Sequence, residues 1–402
     1  MKVKSRNKRL NLVHVGASGF PKLKTASVNR YFNLYSMLPK DKFSFTLISN
    51  RSLNRSQDTE WIQNKGIYKG LQYRFTTPTP FKPQNFFQRR YYKIYGKVYE
   101  FNYLLKLGFL KNIDVLIFYP RGSFFELLGY RIYSKIFNLP LIGHYVELRS
   151  GFKSRNSYFK RINDWMFDNY YMFLVDGLIP ISNYLWQHVR KKRNIKMLKI
   201  PPIADFDLFS IDSDRNQGNY FLYVGSSVYY QPVMKILDAF KKLEEENFNL
   251  VLVLHGSGTQ KIRNNVEIHP KKNKIFIYSG LSYEDLVQLY VNAKSLIVPL
   301  SNSLQDIARF PNKISEYLAS SNPIITNRVG EVENYFTDGE NALVAELNAS
   351  DGILEKMQIV VDNPEKAEKI GYKGYELGLK YFDKNSYKKE FETFITNFVS
   401  KN

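Results

Sequence analysis

Apolar and polar residues alternate along this chain in two tempos. Short apolar runs of strand length are separated by stretches in which apolar residues return every three or four positions, the spacing of one helix face. LNLVHVG (10–16) reads as a first strand closing on a glycine, TASVNRYFNLYSML (25–38) as a helix, and FSFTLIS (43–49) as a second strand. DVLIFYP (114–120), PLIGHYV (140–146) and GLIPIS (177–182) continue the strands, with helical spacing between them. The pattern breaks over prolines, acids and a glycine at 200–219. It restarts with YFLYVGS (220–226), NLVLVLHGSG (249–258), KIFIYSG (274–280), SLIVPL (295–300), NPIITN (322–327) and ALVAE (342–346). Strands alternating with helices predict an α/β protein with doubly wound parallel sheets. Two such series predict two domains, 1–199 and 220–383, joined by a linker at 200–219. The last stretch, 384–402, has the pattern of an amphipathic helix and is expected to pack back on the N-terminal domain.

Composition agrees with this division and adds a charge. At 402 residues the chain is too long for one core. With 44% apolar and 24% charged residues it is a folded chain, and no apolar run approaches the ~20 residues of a membrane span. The basic N-terminus carries an apolar stretch too short for a signal peptide, so a cytoplasmic address is expected. The absence of cysteine excludes a disulfide framework and thiolate chemistry. The formal net charge of +21 favours anionic partners. Aromatic residues reach 16% and are interleaved with Lys and Arg, most densely in NFFQRRYYKIYGKVYEFNYLLKLGFLKN (85–112). That mixture suits single-stranded nucleic acid or an anionic membrane surface, and composition does not choose between them.

Candidate chemistry lies at the strand ends, where open α/β sheets bind ligands. Gly16 and Gly19 follow the first strand, and Gly256 and Gly258 follow a later one. Neither pair completes the dinucleotide motif G-x-G-x-x-G, and both also fit simple tight turns. The Asp-x-Asp pairs at 205–207 and 212–214 fall in the linker, away from strand ends, so no metal site is expected. His14 lies inside a predicted buried strand and reads as core. His144 and Glu147 follow an N-terminal strand, where the first suits polarising an acceptor hydroxyl and the second accepting from one. A structural histidine fits the same position. Tyr119, at another strand end, is a further wall candidate.

The run LSYEDLVQLYVNAKSLIVPL…ARFPNKISEYLASSNPIITNRVGEVENYFTDGENALVAE (281–346) resembles the nucleotide-sugar half of retaining glycosyltransferases of glycosyltransferase family 4. HVGASGFPKLKTASVNRYF (14–32), DGLIPISNYLWQHV (176–189), PPIADFDLF (201–209) and YFLYVGSSVYYQPVMKILDAFKKL (220–243) recur in the family's order. The resemblance implies the GT-B fold, two Rossmann-like doubly wound domains facing across a cleft. It implies transfer of a sugar from a nucleoside-diphosphate sugar, UDP- or GDP-linked, to a glycan or lipid-linked acceptor, as in bacterial surface-polysaccharide synthesis. The donor is a co-substrate, and no other cofactor or metal is implied. With the basic, aromatic N-terminal surface, the resemblance implies peripheral attachment to the inner face of the plasma membrane.

Residue by residue, the resemblance gives Glu316 the family's ribose-binding glutamate, a role suited to a carboxylate that accepts from two hydroxyls. The bare spacing also fits a surface glutamate paired with Lys313. Ala308 stands where the family's earlier glutamate falls, and Ser226 and Gln231 stand where it carries diphosphate-binding cations. Arg309 and Lys313, flanking Pro311 at an expected helix start, are then the candidates for stabilising the leaving diphosphate. If the turn before Pro311 continues the helical path, Arg309, Lys313 and Glu316 share one side. Gly225, Ser226, Asn312, Gly330 and Glu331 complete the implied donor site, and Gly16, Ser18, Gly19 and Tyr119 the acceptor-side loop. Two other readings compete. A nucleotide-sugar epimerase of the same fold would need acid and base carboxylates. A nucleic-acid-binding protein would need a recognition motif that the sequence lacks.

Overall fold

A computed structural model describes residues 9–16, 19–22, 26–55, 59–120, 123–151, 157–209, 218–347, 349 and 351–399. The chain forms two compact units, residues 1–200 with 387–402, and residues 201–386.

The first unit is built on an eight-stranded sheet. Its strands are β1 Leu10–Val15, β2 Phe43–Ser49, β3 Lys65–Tyr68, β4 Leu71–Phe75, β5 Val115–Phe118, β6 Leu141–Tyr145, β7 Gly177–Pro180 and β8 Lys196–Met197. They lie in the order β3-β4-β2-β1-β5-β6-β7-β8, all parallel except the β3–β4 pair. Its helices are α1 Ala26–Ser36, α2 Phe86–Phe109, α3 Phe124–Ile136, α4 Tyr158–Tyr170 and α5 Asn183–Arg190. Every residue of β5, β6 and β7 is buried, as expected of parallel strands covered on both faces. The β3–β4 hairpin is not predicted by the apolar pattern, because β3 is an edge strand with no buried residue. Its turn runs through Lys69 and Gly70, both at positive φ (48° and 86°), the geometry that tight hairpins need.

The second unit carries a six-stranded, all-parallel sheet in the order β11-β10-β9-β12-β13-β14. The strands are β9 Tyr220–Ser226, β10 Asn249–His255, β11 Ile275–Tyr278, β12 Ser295–Val298, β13 Ile324–Asn327 and β14 Leu343–Ala345. Around them run α6 Tyr230–Lys242, α7 Thr259–Glu267, α8 Tyr283–Asn292, α9 Leu304–Ala308, α10 Lys313–Ala319, α11 Val332–Tyr335, α12 Gly352–Asp362 and α13 Pro364–Tyr381. One core cluster, including Phe221, Ile236, Phe240, Leu252 and Met357, fills the space beneath the sheet. The final helix, α14 Lys388–Val399, belongs to the first unit, where it buries Phe391 and Ile395. There Glu392 pairs with Lys42 at 2.7 Å, and Lys196 donates to the Asn397 carbonyl at 3.2 Å. No helix among the described residues is long and apolar enough to cross a membrane.

Strand order reverses at β1/β5 in the first sheet and at β9/β12 in the second. Diverging connections leave a crevice at such switch points, outside the carboxyl ends of the strands. Each unit therefore offers one favoured place for a ligand.

Candidate functional site

At the β9/β12 switch point, the chain leaving β12 is tied down before it reaches the predicted cations. Ser303 caps α9, its hydroxyl accepting from the Asp306 N–H at 3.2 Å. Asp306 is buried and uses its two oxygens differently. Oδ2 accepts from the Ser301 N–H at 3.0 Å and from the Ser301 hydroxyl at 2.7 Å. Oδ1 accepts from Arg309 Nη2 at 2.7 Å and Nε at 3.2 Å. Arg309 Nη1 donates to the Tyr229 hydroxyl at 2.5 Å, and the guanidinium lies 4.7 Å from the centre of that ring. Burial alone would lower the pKa of Arg309, but Tyr229 and Asp306 more than offset it and hold it above its ordinary value. Arg309 is thus a fixed positive charge at any working pH.

Lys313 lies beside it. Its ammonium donates to the Val224 carbonyl on β9 and sits 4.6 Å from the centre of the Tyr223 ring. Burial, then the neighbouring Arg309, push it down to about 7, with Glu316 pulling the other way. Glu316, in the first turn of α10, accepts from the Tyr290 hydroxyl at 3.1 Å and the Tyr283 hydroxyl at 3.5 Å. Two phenols on α8 therefore aim this carboxylate, which has lone-pair capacity for more than two donors. His255, at the end of β10 and in register with Ser226 at the end of β9, is held below its ordinary pKa by burial and then by Lys313. Gly330 has φ +59°, and a Cβ there would lie 2.8 Å from the Ile307 carbonyl oxygen. That close approach seats the Gly330–Glu331 loop against α9, and Glu331 is buried.

The structure brings Arg309, Lys313 and Glu316 together by a different route from the expected one. Arg309 has extended backbone (φ −95°, ψ 168°) and ends α9, so the helical path is broken before Pro311. Helix α10 starts at Lys313 with Asn312 as its N-cap, which places Pro311 outside the helix rather than at its first position. Packing against Asp306 and Tyr229, not helical periodicity, sets the position of Arg309. Asp306, Tyr229, Tyr283, Tyr290 and His255 are the site residues that sequence reasoning missed. Asp306 alone had a local signal, its spacing of three residues from Arg309.

In the first unit, Gly16 ends β1 at φ +76° with its backbone against the Tyr119 carbonyl, and Gly19 follows at φ +99°. Ser18 lies outside the described residues, as does the Asp-x-Asp pair at 212–214. Tyr119 is buried beyond β5, its N–H donating to the Val15 carbonyl at 3.1 Å. Glu147 lies half-buried, two residues past β6. His144 is a correction. It is sealed inside β6 at 0% exposure, its Nε2 3.1 Å from the Tyr35 hydroxyl, which also bonds His14 Nδ1. Burial lowers His14 to about 3, and burial, with help from His14 and Arg30, holds His144 well below its ordinary value. Both are neutral core imidazoles in a cluster with Tyr31, Tyr35 and Tyr119. The Asp-x-Asp pair in the described linker is also structural, since Asp205 pairs with Lys384. Among the described residues no three His, Cys, Asp or Glu side chains gather as metal ligands.

The chain superposes on sucrose-phosphate synthase from Thermosynechococcus elongatus with a TM-score of 0.75, covering 98% of this chain and all of that one at 14% identity. It superposes on Anabaena Alr3699/HepE, solved in complex with UDP-glucose, at a TM-score of 0.70 and 11% identity, covering 97% of this chain and all of that one. The fold is GT-B. Within this GT-B chain, residues 207–377 match the family described as Glycosyl transferases group 1. A curated relative, the uncharacterized glycosyltransferase MJ1178 of Methanocaldococcus jannaschii, is 26% identical over 206 residues, 51% of this chain. The match spans 55% of that relative's length.

The charge state of Lys313 makes a testable statement. Its folded pKa of about 7 lies below the ordinary 10.5, so between those values the unfolded chain holds more protons. Stability should therefore rise with pH across that window, and the cost of burying the ammonium is fully present below it. An anion bound beside Lys313 would favour the ammonium, so its binding should take up a proton above pH about 7. The expected result is that the affinity for inorganic pyrophosphate, used as the probe, falls as pH rises from there, by up to about tenfold per unit. Lys313→Met should flatten this slope, which calorimetry across the pH range will measure.

Proposed function

We propose that this protein is a retaining glycosyltransferase that moves a hexosyl group from a nucleoside-diphosphate sugar to a glycan or lipid-linked acceptor. The single observation that carries this reading is the convergence of Arg309, Lys313 and Glu316 at the β9/β12 switch point, within the residues that match Glycosyl transferases group 1. Glu316, aimed by Tyr283 and Tyr290, binds the ribose hydroxyls. Arg309 and Lys313 stand ready to meet the diphosphate, whose negative charge grows as the sugar leaves, and fixed cations in a partly buried site oppose that charge most effectively. The departing diphosphate takes the acceptor proton on the same face of the sugar, which is the retaining outcome. UDP-sugars are the first donors to try, because the Anabaena protein was solved with UDP-glucose. The setting is bacterial surface-polysaccharide synthesis at the inner face of the plasma membrane.

The test is a transfer assay with UDP- and GDP-sugars, run with lipid extract as the source of acceptor and repeated in excess EDTA. Sugar transfer that survives EDTA is the expected result, because two side-chain cations do the electrostatic work. Interconversion of the sugar without transfer would contradict the reading and favour an epimerase. Activity that vanishes in EDTA and returns with Mn²⁺ or Mg²⁺ would contradict the role given to Arg309 and Lys313.

A further inference from the structure

Three helices of the first unit have their charges sorted in an unusual way. They lie side by side. Lys97 of α2 pairs with Glu126 of α3 at 2.8 Å, and Phe101 of α2 stacks on Tyr130 of α3 at 5.5 Å. Asn163 of α4 accepts from the Phe124 N–H of α3 at 2.8 Å. The acids these helices carry are Glu100, Glu126, Asp164 and Asp168, and none is exposed. Glu100 is buried on α2, accepting from Asn50 Nδ2 at 2.7 Å and the Tyr130 hydroxyl at 2.8 Å. Glu126 closes a capping box on α3. Asp168 accepts from the backbone N–H groups of Arg149 and Ser150 at 2.9 and 2.7 Å, and Asp164 lies 3.9 Å from the Arg149 guanidinium.

What these helices show to solvent is the reverse of an ordinary amphipathic surface. On α2 the exposed residues include Phe87 (79%), Ile94 and Val98, set among Arg89, Arg90 and Lys93. On α3 they include Phe125, Ile132 and Ile136 beside Lys135. On α4 they include Tyr158, Phe159 (82%) and Trp165 beside Lys160 and Arg161. Exposed apolar side chains gathered on three neighbouring helices mark an interaction surface. Its formal charges are all positive, so the partner is anionic. Its isoleucines and valine have no π-face for a base to stack on and no hydrogen bond to offer, yet they gain free energy when taken into hydrocarbon.

We propose that the outer face of α2, α3 and α4 docks flat on an anionic lipid surface, with the aromatic and aliphatic side chains at the acyl boundary and the Lys and Arg side chains among the headgroups. Inward placement of every acid removes the repulsion that such a surface would otherwise exert. Each cation near an anionic leaflet adds attraction that salt screens. This names the surface by which the transferase proposed above would meet its membrane, and it rests on that reading only for its purpose.

The experiment is co-sedimentation of the full chain, without nucleotide sugar, with phosphatidylcholine vesicles and with vesicles that also contain phosphatidylglycerol. Binding to the anionic vesicles at low salt, released by salt, is expected. The triple variant Arg89→Gln, Arg90→Gln, Lys93→Gln should weaken that binding on the order of a hundredfold, at about fivefold per cation. Ile94→Ser with Phe159→Ser should weaken it as well, while binding of a single-stranded oligonucleotide stays unchanged. All these positions are exposed, and an unaltered thermal melt confirms that the variants fold. No preference for anionic vesicles, or indifference to both sets of substitutions, would overturn the proposal. So would oligonucleotide binding stronger than vesicle binding and sensitive to the same cations. Sugar transfer to a soluble acceptor is scored separately, so failure of docking and failure of the transferase reading are told apart.

Discussion

Arg309→Ala is expected to lower turnover by about 10²–10³-fold at saturating donor, the loss typical of removing a group that opposes charge developed in the transition state. The reason lies in how Arg309 is held. Asp306 takes two of its N–H donors and Tyr229 a third, so the side chain is oriented before any ligand arrives. A pre-set cation does not reorganise during the reaction, and its benefit grows as the diphosphate gains charge. Nucleoside affinity should change little. Substitution also leaves Asp306 buried without its cation, which costs stability of about 1–3 kcal/mol. Arg309→Lys separates the two effects, since it restores charge beside Asp306 but not the planar fork. The alanine variant should therefore be slow even where it is fully folded, and the lysine variant should regain stability more completely than turnover. Normal turnover by folded Arg309→Ala would reduce Arg309 to a packing residue.

Glu316→Gln should act on the other side of the reaction. The amide keeps the size of the side chain, but with one acceptor oxygen in place of two it can accept from only one of Tyr283 and Tyr290 in this arrangement and must donate to the other. It also loses the negative charge that strengthens bonds from ribose hydroxyls. Hydrogen bonds to charged groups contribute about 1.5–3 kcal/mol, so donor affinity should fall by about 10- to 100-fold. This interaction is the same in the bound donor and in the transition state. The change should therefore appear in KM, with kcat largely kept. A loss confined to kcat would place Glu316 in the chemistry and not at the ribose.

The difference between these two residues shows how far sequence alone reaches. The strands β1, β5, β6, β7, β9, β10 and β12–β14 announce themselves because buried parallel strands are largely apolar runs, while β2 shows by its alternation and the edge strand β11, with only Ile275 buried, by a short apolar run. The edge strand β3 does not, because KGIY has no buried face to pattern it, and β4 (LQYRF) buries only alternate residues. Glu316 was legible, since RFPNKISEYLA resembles a family signature and sits on a helix with ordinary periodicity. The posture of Arg309 was not. Its extended backbone and its grip on Tyr229, 80 residues earlier in the chain, are tertiary facts with no local pattern. His144 misled for a similar reason. A histidine near a strand end reads as accessible, and only the packing of Tyr35, Tyr119 and His14 around it shows a neutral core side chain. The aromatic-basic run of α2 was visible, but the inward turn of the acids on three neighbouring helices needed the fold.

The most direct measurement is a calorimetric titration of UDP, with GDP in parallel, into wild-type protein, Glu316→Gln and Arg309→Ala. The expected result is one saturable site for at least one nucleotide. Its affinity should fall about 10- to 100-fold in Glu316→Gln and much less in Arg309→Ala, whose main defect is in turnover. Failure of both nucleotides to bind, or binding that Glu316→Gln leaves untouched, would contradict a nucleoside diphosphate at the carboxyl ends of β9 and β12.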